Sequence, residues 1–208
     1  MYKILFIGIG KMGFPMAGFL SEKYEVSVYN RSKEKISIWK KKYGGNAVEN
    51  LNQLDEKFDF IISCIGNDDD LREITSNDTG CLNVIRKNTI FIDHSTVSPK
   101  IVQELELKLK EKEAFFLDAP ISGGQLGAEK GQLSIMVGGD KNAFKKSESI
   151  FEVYGKKRKY MGSSGSGQLT KIINQICIAG LVQGLSESIY FMKQTKPVSY
   201  THLRAHET

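Results

Sequence analysis

The sequence predicts an α/β chain with a doubly wound, mainly parallel sheet, followed by the start of a long helix. Three observations predict it. Short, nearly all-apolar runs alternate with helix-like segments through most of the chain, as in a sheet buried on both faces. The first apolar run leads directly into a G-x-G-x-x-G and then a helical pattern. From Gly165 the character changes, and from Gln168 onward the pattern becomes one long helix whose middle is apolar on every side.

The strands are expected at Tyr2–Ile7, Glu25–Tyr29, Phe58–Cys64, Thr89–Ile92, Phe115–Leu117 and Leu133–Val137. Helical spacing fills Lys11–Ser21, Lys33–Lys42, Ser98–Lys112 and Lys141–Tyr154. Ser98 is a good N-cap with Pro99 at the first helical position, and Val102, Leu105 and Leu109 form the apolar stripe behind them. Asp68-Asp69-Asp70 suits the first turn of a helix, where the dipole favours acids, better than a metal site. Lys156-Lys157-Arg158-Lys159 suits a solvated turn before a strand better than a nucleic-acid contact. Ser163–Gly167 is expected to be a flexible hinge.

The last helix runs from Gln168 to about Met192. Burying each of Ile172, Ile173, Ile176, Ile178, Leu181, Val182 and Leu185 is worth about 1.5–3 kcal/mol. Together that is roughly 10–20 kcal/mol, which rivals the net stability of a whole domain. Such a helix must be surrounded, yet little sequence follows it. Pro197 to Thr208 reads PVSYTHLRAHET, continues no periodicity and resembles a translated sequencing adapter. His202 and His206 stand four apart there without a third metal ligand. The expected organisation is a cofactor domain at 1–162, a hinge and interdomain helix at 163–196, and a non-native tail at 197–208. The chain is expected to be the N-terminal portion of a longer protein.

Composition narrows the class. The 208 residues include 29 Lys plus Arg against 24 Asp plus Glu, a formal charge of +5, and 40% are hydrophobic. These values exclude whole-chain disorder and fall short of the basic stripe of a nucleic-acid binder. No run of eighteen apolar residues occurs, so no membrane span is expected. Three cysteines without a C-x-x-C form neither a disulfide framework nor a zinc site, so no metal is expected and the compartment reads as cytoplasmic.

The glycine motif is Gly8-Ile9-Gly10-Lys11-Met12-Gly13. Gly8 permits the tight turn. Gly10 lets backbone approach a pyrophosphate at the helix N-terminus. Gly13 lets helix and strand pack closely. This is the loop of a Rossmann-type dinucleotide site. The next strand ends at Tyr29-Asn30-Arg31-Ser32. Asn30 stands where an NAD site usually carries an acid for the ribose 2′-OH, and Arg31 can pair with a 2′-phosphate. A hydrogen bond to a charged group is worth about 1.5–3 kcal/mol, or roughly a tenfold to hundredfold preference for NADP, with NAD as the alternative.

Two further segments carry chemistry. Asp118-Ala119-Pro120-Ile121-Ser122-Gly123-Gly124 exposes backbone N–H groups and a hydroxyl in a nest suited to a carboxylate. On the last helix, Gln168, Lys171, Asn174 and Gln175 share one polar face. A lysine in a partly desolvated cleft has its pKa lowered and can exchange a proton with a substrate oxygen.

These segments resemble the β-hydroxyacid dehydrogenase family, which includes 3-hydroxyisobutyrate dehydrogenase. The resemblance rests on Phe6–Ala17, Asp93–Pro99, Asp118–Gly124 and Gly165–Asn174, in family order across residues 1 to about 193. It implies that Ser122, Gly123 and Gly124 bind a small carboxylate substrate and that Lys171 is the catalytic acid/base. It implies that Thr96 lies by the nicotinamide and that Cys64-Ile65-Gly66-Asn67 line the cofactor. Relatives usually carry Asn four residues after the lysine; here Gln175 stands there with Asn174 beside it. The family also implies an all-helical domain after the long helix, and a homo-oligomer. The expected activity is NADP-preferring hydride transfer with a small 3-hydroxy acid or its semialdehyde, weak in the chain as it stands. The alternatives are a 6-phosphogluconate dehydrogenase-like enzyme, disfavoured by Asn174 where those carry histidine, and a non-catalytic NADP-binding fragment, disfavoured by Lys171 with Ser122–Gly124.

Overall fold

A computed structural model describes residues 1–76 and 78–195. The chain divides into two compact units, Met1–Lys171 and a second that begins at Ile172.

The first unit alternates strands and helices in the expected manner. Its elements are β1 (Lys3–Ile7), α1 (Gly13–Ser21), β2 (Glu25–Tyr29), α2 (Lys33–Tyr43), β3 (Asn46–Ala47), β4 (Phe60–Ser63), α3 (Asp68–Ile74), β5 (Ile90–Asp93), α4 (Pro99–Glu111), β6 (Phe115–Asp118), β7 (Ile121–Ser122), α5 (Gly124–Glu129), β8 (Leu133–Gly139), α6 (Lys141–Tyr154) and β9 (Gly155–Gly162). Among the described residues they form one sheet in the order β3-β2-β1-β4-β5-β6-β8-β7, with β9 paired to β8. The pairs from β3 through β6 are parallel, β6 and β7 run antiparallel to β8, and β9 is parallel to β8. The order reverses between β1 and β4, the switch point at which open α/β sheets take their ligands.

The apolar strands bury both faces. Ile4 and Phe6 of β1 join one core with Met16, Trp39, Phe151 and Tyr154, under α1, α2 and α6. Leu5 and Ile7 join the other with Leu71, Val102 and Leu105, under α3 and α4. This is the period of two expected of a strand, with apolar residues at every position because both faces are covered.

Three local expectations need correction. The first helix starts at Gly13 rather than Lys11, because residues 11 and 12 complete the glycine turn. Lys156–Lys159 is not a turn before a strand but part of β9 itself. There its charged side chains line a strand paired only through β8, a placement that discourages edge pairing with another chain. The last helix, α7 (Ser166–Thr195), begins at Ser166 rather than Gln168, inside the Ser163–Gly167 segment, where Gly165 and Gly167 are buried.

From Ile172 onward α7 belongs to the second unit. Ile173, Ile176, Leu181, Tyr190 and Phe191 are each more than 60% exposed there, so the apolar residues that the sequence requires to be covered have no cover among the described residues. A window of mean hydropathy 1.2 makes this helix long and apolar enough to cross a membrane by length and composition alone, although it contains no uninterrupted apolar run of that length. The tail at 197–208, with His202 and His206, lies outside the described residues.

Candidate active site

The glycine loop joins β1 to α1 at the switch point. Gly8 has φ +93°, and a Cβ there would sit 2.4 Å from the Cys64 carbonyl oxygen. A Cβ on Gly13 would sit 2.0 Å from the Gly8 carbonyl oxygen and 2.9 Å from the Phe6 ring. Both glycines are therefore demanded by the protein itself. Gly10 is different, since a Cβ there would meet nothing within 4 Å. The space over it is open, as a pyrophosphate approaching the backbone requires.

That space is a cleft of about 480 Å³. It brings together Gly8, Gly10, Lys11, Met12, Gly13, Asn30, Arg31, Ser32, Cys64, Ile65 and Gly66 from three separate stretches of sequence. Ile9 lies buried beneath the loop, and its N–H donates to Asn30 Oδ1 at 3.2 Å. Asn30 Nδ2 in turn donates to the Ser32 carbonyl at 3.3 Å. Asn30 thus ties the glycine loop to the end of β2, beyond merely lacking the charge of an acid. Asn67 is outside the lining; its Oδ1 caps α3 by accepting the Asp70 N–H at 2.9 Å. Lys35 and Glu73, which the sequence does not single out, also line the cleft, as does Asp70, which the sequence places only in a helix first turn. Lys35 sits in the first turn of α2, and its spacing from Arg31 and Ser32 is the signal that could have found it.

Behind the cleft a chain of buried hydroxyls sets the floor. Ile65 N–H donates to Ser95 Oγ at 2.9 Å, and Ser95 Oγ donates to Asp93 Oδ1 at 2.7 Å. Ser63 Oγ donates to the same oxygen at 2.6 Å. Burial raises the Asp93 carboxyl above its ordinary range. Burial, with the charge of Asp93 second, pushes the Cys64 thiol up to about 12, so Cys64 shapes the wall and is no nucleophile at neutral pH.

A second buried polar network gathers around Asp118, at the end of β6. Its Oδ1 accepts the Gly165 N–H and its Oδ2 the Gln168 N–H, each at 2.8 Å. Room for the carboxylate comes from Gly138 and Gly167, whose Cβ atoms would lie 2.4 and 2.8 Å from its oxygens. Gln168 is fully buried. Its Nε2 donates to the Ser95 carbonyl at 2.8 Å and its Oε1 accepts the Val97 N–H at 3.2 Å. These two bonds bracket Thr96, which is exposed. One helical turn after Gln168 comes Lys171, buried to 9% exposure. Among the described residues its ammonium makes no ion pair or hydrogen bond, and desolvation lowers its pKa.

Ser122 is half-buried on β7, and Gly123 and Gly124 are exposed with φ of +130° and +61°. These left-handed conformations turn the chain from β7 into α5, and the Gly123 carbonyl accepts the Gly127 N–H at 3.0 Å. Thr96, Ser122–Gly124 and Lys171 lie outside the lining of the 480 Å³ cleft. Asn174 and Gln175 belong to the second unit, where Asn174 Nδ2 donates to Gln175 Oε1 at 3.1 Å.

One further residue has a role that the sequence did not indicate. His94 is 2% exposed; its Nδ1 is 2.6 Å from the Ala119 carbonyl and its Nε2 is 2.8 Å from the Tyr154 hydroxyl. A carbonyl only accepts, so Nδ1 carries the hydrogen and Nε2 accepts from Tyr154. Burial lowers the imidazole pKa to about 4. His94 therefore stays neutral and pins the turn that leads to Ser122.

Comparison with known proteins agrees with this architecture. Residues 3–162 match the family described as the NAD binding domain of 6-phosphogluconate dehydrogenase. An uncharacterized oxidoreductase of Shewanella frigidimarina is 42% identical over 194 residues, covering 93% of this chain and 67% of that protein. The 2-hydroxy-3-oxopropionate reductase of Escherichia coli is 33% identical, covering 91% of this chain and 64% of that protein. The solved structure of Mycobacterium tuberculosis 3-hydroxyisobutyrate dehydrogenase with L-serine superimposes with a TM-score of 0.87 at 26% identity, covering 96% of this chain and 67% of that one. The chain thus spans about two thirds of the length of these relatives.

Proposed function

This chain belongs to the family of the NAD binding domain of 6-phosphogluconate dehydrogenase and its 3-hydroxyisobutyrate dehydrogenase relatives, and we propose from that premise that it is the cofactor-binding part of an NADP-preferring reductase or dehydrogenase of small 3-hydroxy acids. The observation that carries the reading is the cleft opened by Gly10, with Arg31 at its mouth. When bound, a nicotinamide cofactor would supply or accept the hydride.

Lys171 handles the proton. In reduction its Nζ gives a proton to the carbonyl oxygen of the substrate as the carbonyl carbon gains hydride; in oxidation it accepts the hydroxyl proton. Burial favours this role, since it brings the amine nearer to its neutral form. The N–H groups at Ser122, Gly123 and Gly124 would hold the substrate carboxylate. Gln168 supports the arrangement by tying the loop that carries Thr96 to the turn that carries Lys171. By the family resemblance, Asn174 and Gln175 would also bind substrate. The exposed apolar residues after Ile172 would be covered by further sequence of the longer protein and by a second copy of it. Cys64, Cys81 and Cys177 are free thiols, in keeping with a reducing, cytoplasmic setting.

The test is Lys171→Ala in a version extended to the length of its relatives, assayed by loss of NADPH absorbance with small semialdehydes. Turnover should fall roughly a hundredfold or more, while NADPH affinity stays within about twofold. Unchanged turnover would remove Lys171 from the reaction.

A further inference from the structure

The cleft has one basic and one acidic wall. Lys11, Arg31 and Lys35 face it from the glycine loop and the start of α2, and Asp70 and Glu73 face it from α3. The walls meet at one point: Arg31 Nη1 lies 2.9 Å from Asp70 Oδ1. The Arg31 side chain is 72% exposed but that of Asp70 only 16%, so the guanidinium faces solvent and the carboxylate is the more buried partner. The other Asp70 oxygen lies over Gly66, where a Cβ would be 2.7 Å away. Asp70 therefore lies between Gly66 and Arg31 and occupies the guanidinium that a 2′-phosphate needs.

We propose that Asp70 sets the cofactor preference of this protein by clasping Arg31 across the cleft and competing with the 2′-phosphate for it. The proposal rests on the dinucleotide reading of the cleft. A phosphate carrying close to two negative charges must displace the carboxylate and then remain near it, so part of the attraction from Arg31 is offset. A dinucleotide with a free 2′-hydroxyl meets no such repulsion. The NADP preference expected from Asn30 and Arg31 alone is thus smaller in the intact cleft than those two residues would give.

The experiment is direct titration of the chain with NADPH and NADH at low ionic strength, where a partly exposed charge pair is least screened. Asp70→Asn should tighten NADPH roughly tenfold, the equivalent of about 1.4 kcal/mol, and leave NADH within about twofold. In an Arg31→Ala background the gain should shrink, because only direct repulsion then remains. Glu73→Gln makes the same charge change without an Arg31 partner and should give a smaller gain. Equal tightening of both cofactors by Asp70→Asn, or a gain of full size without Arg31, overturns the clasp. Absence of saturable binding of either cofactor to the wild-type chain overturns the dinucleotide reading and the clasp with it. If NADPH binds but Arg31→Ala leaves its affinity unchanged, Arg31 is not the phosphate site and the clasp also fails.

Discussion

Asp118 fastens the helix that carries Lys171: its carboxylate accepts the N–H of Gln168 at 2.8 Å, one turn before the lysine. The first N–H groups of a helix have no partner within it, and here a strand-end carboxylate from far earlier in the chain supplies one. Two glycines make room for it, since a Cβ on Gly138 would sit 2.4 Å from Asp118 Oδ1 and one on Gly167 would sit 2.8 Å from Oδ2. Asp118→Ala should cost about 2–4 kcal/mol, because it removes a cap and leaves two buried N–H groups without an acceptor. Asp118→Asn should cost less, since one amide oxygen can still accept. Urea unfolding of the three proteins checks the ranking.

Gln168 makes a separate contribution through its side chain. Gln168→Leu strands the Ser95 carbonyl and the Val97 N–H in a buried site, at about 1–3 kcal/mol for each. Gln168→Glu keeps the acceptor for Val97 but loses the donor for Ser95, so it should not rescue stability fully. Denaturant midpoints rank the variants, and hydrogen exchange at Val97 should speed up in Gln168→Leu but not in a surface control.

The pH dependence should reveal two opposed groups. His94 is neutral in the folded chain down to about pH 4, whereas the unfolded histidine gains a proton near its ordinary 6.5. Its contribution is complete above 6.5 and is lost as pH falls toward 4. Asp118 behaves oppositely. Burial raises its pKa from 3.8 to about 6, against the pull of its N–H donors, so folding is favoured by protonation at low pH and that advantage is lost as pH rises through 6. Asp93, also raised by burial, adds to the Asp118 side. Between about pH 4 and 6 the slopes from His94 and Asp118 cancel. Asp118→Asn should make stability fall more steeply toward acid, and His94→Gln should make it fall as pH rises. Parallel curves for wild type and both variants would contradict these assignments.

Much of the frame was legible in the sequence because it is written in local pattern. Glu25–Tyr29 and Lys141–Tyr154 coincide with their elements, and the glycine loop lies between the strand and helix expected of it. The Asp118, Gln168 and His94 networks were not legible. Each joins residues far apart in the chain, and nothing in a local window shows that a buried carboxylate will meet a helix end. The Asp70 clasp escaped for the same reason: the acids were placed correctly in the first turn of α3, but that α3 faces Arg31 follows from the sheet order. β9 is hidden from local pattern because four consecutive basic residues look solvated, and a strand with exposed side chains is solvated too.

The glycines of the loop separate folding from binding. Gly13→Ala forces a Cβ to within 2.0 Å of the Gly8 carbonyl oxygen and should destabilise the chain by more than about 2 kcal/mol. Gly10→Ala meets no protein atom within 4 Å and should leave the melting temperature within about 2 °C of wild type.

The most direct test of the account is calorimetric titration of NADPH into the wild-type chain and Gly10→Ala, with melting temperatures alongside. Saturable binding to the wild type, weakened at least about tenfold in a Gly10→Ala protein of unchanged stability, is the predicted result. Equal affinity in the two proteins, or no binding to either, would contradict the claim that the cleft above Gly10 holds a nicotinamide dinucleotide.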